Sequence, residues 1–302
     1  MILSLAHASL KSKSNVRSAL KHLRNIIVIF PGGRYQGLRF KSLVSENQDT
    51  KMYVMANFPT LEASYHWKMS NDTFVPVHTD YPGFFIKTFW NEPNMLLQAI
   101  AYVIKVLGLK TISLDLKDCY HQEDFVAIMN QVKAKGLRFD KITHSGYNLT
   151  RFPILVEQSR NIDNLEVERW DPDFQKSHEL HVGSLFVRNA SGISESNLQA
   201  LTNCMAIHLN QVRMRDEDVR QFIQRWLFGG GRVKSITLNM MNPMNTTEMI
   251  MGLNNIIWKG GNHQSDSNRS YKIQRSDGAL ITLERSSNTV TMQFTYPPDY
   301  LH

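Results

Sequence analysis

Gly229-Gly230-Gly231 are the first residues in this chain whose type and spacing suggest chemistry. A phosphate loop sets such glycines after a strand and before a helix, where backbone N–H groups and the positive end of the helix dipole face the anion. Here the order is reversed. Val219, Phe222, Ile223, Trp226 and Leu227 recur at helical spacing ahead of the glycines, with Asp216 as the expected cap. The triplet therefore reads as a helix terminator supplying a left-handed conformation. The carbonyl end of the dipole points at it, which disfavours phosphate.

The histidines, carboxylates and cysteines give no stronger sign of a reaction centre. His178 and His181 have the i,i+3 spacing of "HELH", without the longer H-E-x-x-H spacing or an evident third ligand. They read as surface histidines. The carboxylate pairs Asp171/Asp173 and Asp216/Asp218 lie near turns, and the second suits the start of a helix. There is no G-x-S-x-G elbow, and neither Cys119 nor Cys204 has a nucleophile context. Two cysteines exclude a disulfide framework and a multi-cysteine zinc site, and they suit a reducing compartment. The expectation is a protein that is not an enzyme, with no catalytic, cofactor or metal residues.

The elements that would position a binding surface change character along the chain. The 302 residues are 42% hydrophobic and 20% charged, as in ordinary globular proteins, and no apolar run reaches the ~20 residues of a membrane span. The net charge is +7, yet eight Lys/Arg precede the first acid, Glu46, which leaves −1 for the rest. That basic stretch fits a solvated helix face, a transit peptide or a nucleic-acid arm. "SNVRSALKHLR" reads as a capped helix. Residues 26–92 form a run of short aromatic and β-branched segments, read as an antiparallel sheet. Arg and Lys interleave with aromatics there, so a stacking surface for single-stranded nucleic acid competes with a plain sheet core.

From residue 93 the pattern becomes strand–helix repeats. Helices are predicted over 94–107, closed by Gly108, and over 122–135, closed by Gly136; strands are predicted at "TISLDL", "LRFDKIT", "NLEVERW", "SLFVRN", "AIHLNQV" and "SITLNM". Their spacing of about 20–29 residues suggests stacked units forming a leucine-rich-repeat-like solenoid, with an ordinary α/β sheet as the alternative. Leu114, Val167, Leu209, Trp226 and Leu238 are the expected core. "KGGNHQSDSNRS" reads as a polar loop, followed by a closing β-hairpin with its turn at Asp277-Gly278.

The stretch "LTNCMAIHLNQVRMRDEDVRQFIQRWLFGGGRVKSITLNM" resembles the type 2 F-box-associated domain, abundant in nematodes. The resemblance rests on Asn203-Cys204, Ile207–Leu209, Asp216 to Asp218, Phe222, Trp226-Leu227 and Ile236–Leu238, and extends over about 195–296. It implies a core tryptophan plugging the gap between adjacent strand–helix units. It also implies an N-terminal F-box docking on the Skp-type adaptor of a cullin-based ubiquitin ligase. "ILSLAHASLKSKSNVRSALKHL" is similar to the second half of that motif, within residues 1–25, while the Pro-Leu-rich opening is missing. A truncated F-box is therefore expected, with Leu3, Leu5, Leu10, Val16 and Leu20 as the adaptor-binding residues.

The function expected is thus a non-catalytic protein-interaction subunit recognising substrates for an SCF-type ligase, inside the cell, in the cytoplasm or nucleus. The alternatives are a stand-alone binding module uncoupled from the ligase and, from another class, a nucleic-acid binder using the basic N-terminus. Arg169, Arg188 and Gln211, exposed on the repeat strands, are the candidate contacts for an unknown protein target.

Overall fold

The computed structural model describes residues 26–30, 36–41, 50–55, 65–68, 74–80, 85–89, 111–116, 122–144, 155, 157, 159–170, 180–229, 231–253, 255–261 and 269–298. The expected F-box helices, with Leu3, Leu5, Leu10, Val16 and Leu20, and the expected helix over 94–107 lie outside these residues. The chain is an α/β protein with parallel strands and few helices, and it divides into two compact units at Thr143/His144.

In the first unit β1 (Ile26–Phe30), β2 (Gln36–Lys41) and β3 (Thr50–Met55) pair antiparallel in chain order, as their alternating composition leads one to expect. The wholly antiparallel expectation then fails. β3 takes β6 (Phe85–Phe89) as a parallel neighbour, which sends the antiparallel pair of β4 (Tyr65–Lys68) and β5 (Phe74–Asp80) to the outside. β5 is hard to anticipate from sequence because Pro76 argues against a strand. The pairing register resolves the conflict: Pro76 faces only β4, and the β6 ladder begins at Val77. On the other side of β1, β7 (Thr111–Asp115) and β8 (Arg138–His144) add in parallel.

Helix α1 (Gln122–Ala134) links β7 to β8 and buries Ile128, Met129 and Val132. Gly136, at φ +64°, closes it; the Gly136 N–H donates to Lys133 O (2.9 Å) and the Leu137 N–H to Val132 O (3.1 Å). Here a glycine does supply the left-handed terminator.

In the second unit β9 (Ile162–Arg169), β10 (Ser184–Asn189), β11 (Ala206–Val212) and β12 (Ser235–Met240) lie side by side in chain order, all parallel. Antiparallel strands follow: β16 (Thr289–Thr295) beside β12, then β15 (Leu280–Ser286), β14 (Arg269–Gln274) and β13 (Ile256–Gly261). The expected closing hairpin is therefore part of a four-stranded meander. β13 takes in Lys259 to Gly261, residues whose composition reads as loop.

Two return helices shape this unit. α2 (Glu195–Ala200) starts on a capping box, with the Asn197 N–H donating to Ser194 Oγ and the Ser194 N–H to Asn197 Oδ1. α3 (Asp216–Phe228) buries Val219, Phe222, Ile223 and Trp226, the stripe expected, while Leu227 is half-buried. Its cap differs from expectation: Asp218 Oδ2 accepts the Arg215 N–H at 2.7 Å, whereas Asp216 accepts the Asn245 N–H at 2.9 Å. That second bond ties α3 to the start of α4 (Thr246–Ile250).

Gly229 is also corrected. It is extended (φ −148°, ψ 139°), and a Cβ there would meet nothing within 4 Å. Gly231 is the glycine the fold requires, because a Cβ would lie 2.5 Å from Thr202 Cβ and 2.8 Å from Thr202 O.

Strand alternation separates two faces. Leu185, Val187, Ile207, Leu209, Ile236, Leu238, Val290 and Met292 are all at most 2% exposed and form the core under the helices. Trp226 seals this face from above, its ring 5.3 Å from Phe294 of β16 and beneath the Arg275 guanidinium at 4.5 Å. Trp226 is thus the core residue expected, but it packs towards the C-terminal meander. Arg275 is only 5% exposed, and two hydrogen bonds to Asp277 (2.8 and 2.6 Å) match its charge at the β14–β15 turn. Gly278, at φ +88°, completes that turn, as Asp277-Gly278 leads one to expect.

Candidate binding face

The opposite face of the same strands carries polar side chains, from the buried Glu166 through half-buried His208, Asn210 and Asn239 to the exposed Arg188. The register sets Glu166 of β9 beside Phe186 of β10, Phe186 beside His208 of β11, and His208 beside Thr237 of β12. Further along the strands, Asn210 faces Asn239, and Asn239 faces Thr289 of β16. Because parallel in-register strands bring like positions together, one polar residue per strand becomes a continuous row.

The row is internally bonded. Arg188 donates through Nε to Glu166 Oε1 at 2.8 Å, and through its terminal nitrogen to the same oxygen, with Glu168 at 3.4 Å. The guanidinium stands 5.8 Å above the Phe186 ring, which stacks on His208 at 4.9 Å and 22°. His208 Nε2 lies 3.0 Å from Asn210 Oδ1 and 3.2 Å from Asn239 Nδ2. Asn239 donates to Asn210 Oδ1 at 2.6 Å and accepts from Thr289 Oγ1 at 2.9 Å. Five strands are thereby linked by an ion pair, a ring stack and side-chain hydrogen bonds. Side chains held in this way are pre-ordered, which lowers the conformational entropy that binding at such a face would cost.

The three candidate contacts fall at the C-terminal ends of the parallel strands. Arg188 belongs to the row. Arg169, in register with Asn189, ends β9 and by alternation lies on the other face. Gln211 is exposed and sits in a bulge between Asn210 and Val212 at φ +57°. A non-glycine residue in that region is strained, and such strain clusters at functional positions. Phe186, His208, Asn210, Asn239 and Thr289 have no signal in the sequence beyond strand alternation; only the register assembles them.

The residues whose types could do chemistry are scattered. Cys204 is buried, its Sγ is 3.5 Å from Leu180 O, and burial pushes its thiol up to about 12, which suppresses the thiolate at neutral pH. His178, Asp171, Asp173 and Cys119 lie outside the described residues, and His181 is half-buried ahead of β10. Among the described residues no group of three His, Cys, Asp or Glu side chains could hold a metal ion. No helix among them is long and apolar enough to cross a membrane.

No protein-family model matches the sequence. Among curated proteins, the chain is similar to the Skn-1 dependent zygotic transcript 15 protein of Caenorhabditis elegans. The two are 21% identical over 238 residues, spanning 72% of this chain and 68% of that protein. The chain therefore has a distant likeness to a nematode protein.

Proposed function

We propose that this protein is a non-catalytic recognition subunit of an SCF-type ubiquitin ligase, acting in the cytoplasm or nucleus. Residues 1–25 would dock on a Skp-type adaptor through Leu3, Leu5, Leu10, Val16 and Leu20. The leucine-rich-repeat-like array of β9 to β12, within the F-box-associated region, would hold the target protein. The observation that carries this reading is the pre-bonded polar row across five strands, on the face away from the apolar core that α2 and α3 cover. Its Arg–Phe pair supplies residue types enriched at protein interfaces. The resemblance over 195–296 and the similarity to a nematode protein point the same way.

Co-purification with a Skp-type adaptor tests the coupling to a ligase. The full chain is expected to retain the adaptor, and a chain lacking residues 1–24 to lose it. Absence of binding by both would leave a stand-alone recognition module in its place.

A further inference from the structure

At the opposite end of the parallel strands, where each one starts, the backbone gathers cations from three connections. Arg160 precedes β9 in a 3-10 turn, and Ser159 of that turn accepts the His181 N–H at 3.1 Å. The Met205 N–H donates to Val182 O at 3.1 Å, the Lys234 N–H to Met205 O at 2.7 Å, and the Arg232 N–H to Thr202 O at 2.9 Å. Arg160, His181, Arg232 and Lys234 therefore stand along one edge. The pKa of His181 is lowered by burial and then by the charges of Arg160 and Arg232, so both guanidiniums act on one ring.

These cations differ from the five arginines of the unit that are paired with acids, and unlike Arg169, Arg213 and Arg285 they gather at the end where the parallel strands start. Arg188, Arg215, Arg220, Arg225 and Arg275 are each matched to a carboxylate. Arg160, Arg232 and Lys234 are exposed, and no ion pair joins them to a carboxylate among the described residues, although Glu157 and Asp163 lie on the same stretch of chain as Arg160. The carbonyl end of α3 points to this edge and favours a cation there. That effect fades within one helical turn and does not account for the cations ahead of β9 and β10. Apolar groups stand on the same edge: Met205 is 43% exposed and Phe228, the last residue of α3, is 93% exposed.

We propose that this edge is a second docking surface, taking an acidic peptide segment that also presents an apolar side chain. The carboxylates would face Arg160, Arg232 and Lys234, and the apolar group would cover Met205 and Phe228. A single-stranded nucleic acid fits less well. Phe228 is the one exposed ring on the edge among the described residues, whereas base binding uses successive stacking rings. This surface is separate from the polar row, so it stands whether or not that row binds a target.

The test is fluorescence anisotropy of the full chain with three probes: a short Asp/Glu-rich peptide with a central leucine, the same peptide with serine there, and an oligouridine. The leucine peptide is expected to bind most tightly and to weaken as salt rises. Arg232→Glu with Lys234→Glu should weaken it at least about tenfold, and Phe228→Ser about tenfold. Arg213→Glu, beyond β11 at the other end of the strands, should leave it within about twofold. Arg232→Gln, with its melting curve checked, separates a lost contact from a lost fold. Equal affinity of the two peptides, tighter binding of the oligouridine, or affinity indifferent to the reversals would each overturn the proposal.

Discussion

At the scale of the residue, position within a strand or turn decides what a side chain is for. Arg188 and Arg169 are both arginines on neighbouring parallel strands, yet by alternation only Arg188 shares the face of Phe186 and His208. Sequence alone marks both as exposed; it leaves out Glu166, because contact with a neighbouring strand depends on register. The glycines teach the same lesson. The end of the helix is legible from the apolar stripe ahead of them, but Gly229 is extended rather than left-handed, and which glycine is obligatory depends on Thr202, a residue remote in sequence. Gly229→Ala is expected to be neutral or to stabilise by about 0.5 kcal/mol, since the backbone is extended and the space empty. Gly231→Ala should destabilise by about 1–3 kcal/mol, because Thr202 must move. Urea unfolding of the two variants checks the contrast, and similar midpoints would refute it.

At the scale of the element, α3 and the β14–β15 turn form one assembly. Trp226 lies under Arg275, which also approaches Trp226 O at 3.4 Å, and Asp277 neutralises the guanidinium. Arg275 holds the Asp277 carboxyl down to about 2, against an ordinary 3.8. A depressed carboxyl pKa stabilises the fold above the ordinary value, and the contribution is lost as pH falls from about 4 through about 2. Asp277→Asn should remove that part of the acid sensitivity. At neutral pH it should cost about 1–2 kcal/mol, modest because the Asp277 side chain is 37% exposed. A variant with the acid profile of the parent would show that Asp277 is not the group responsible. Asp277-Gly278 is legible as a turn; the partnership with a tryptophan 49 residues before Arg275 is not, since nothing local in either segment encodes it.

At the scale of the whole molecule, the α/β class and the strands β7 to β12 follow from hydrophobic period alone, because each strand alternates and each return is short. The parallel β3–β6 pairing and the strands β5 and β13 are hidden, by Pro76 in one case and by Gly260-Gly261 in the other. In both, tertiary pairing overrides local preference. What emerges is a unit whose apolar face is sealed by helices and whose polar face is ordered before any partner arrives. The most direct test compares the proteins captured by the full chain and by a Phe186→Leu, Arg188→Gln variant, which keeps an apolar group beside His208 and a donor for Glu166, each cross-linked in extracts and analysed by mass spectrometry. The account predicts that the variant stays folded, retains a Skp-type adaptor and loses captured proteins that an Arg232→Glu, Lys234→Glu variant keeps. Capture of the same proteins by a folded variant would contradict the assignment of target recognition to the polar row.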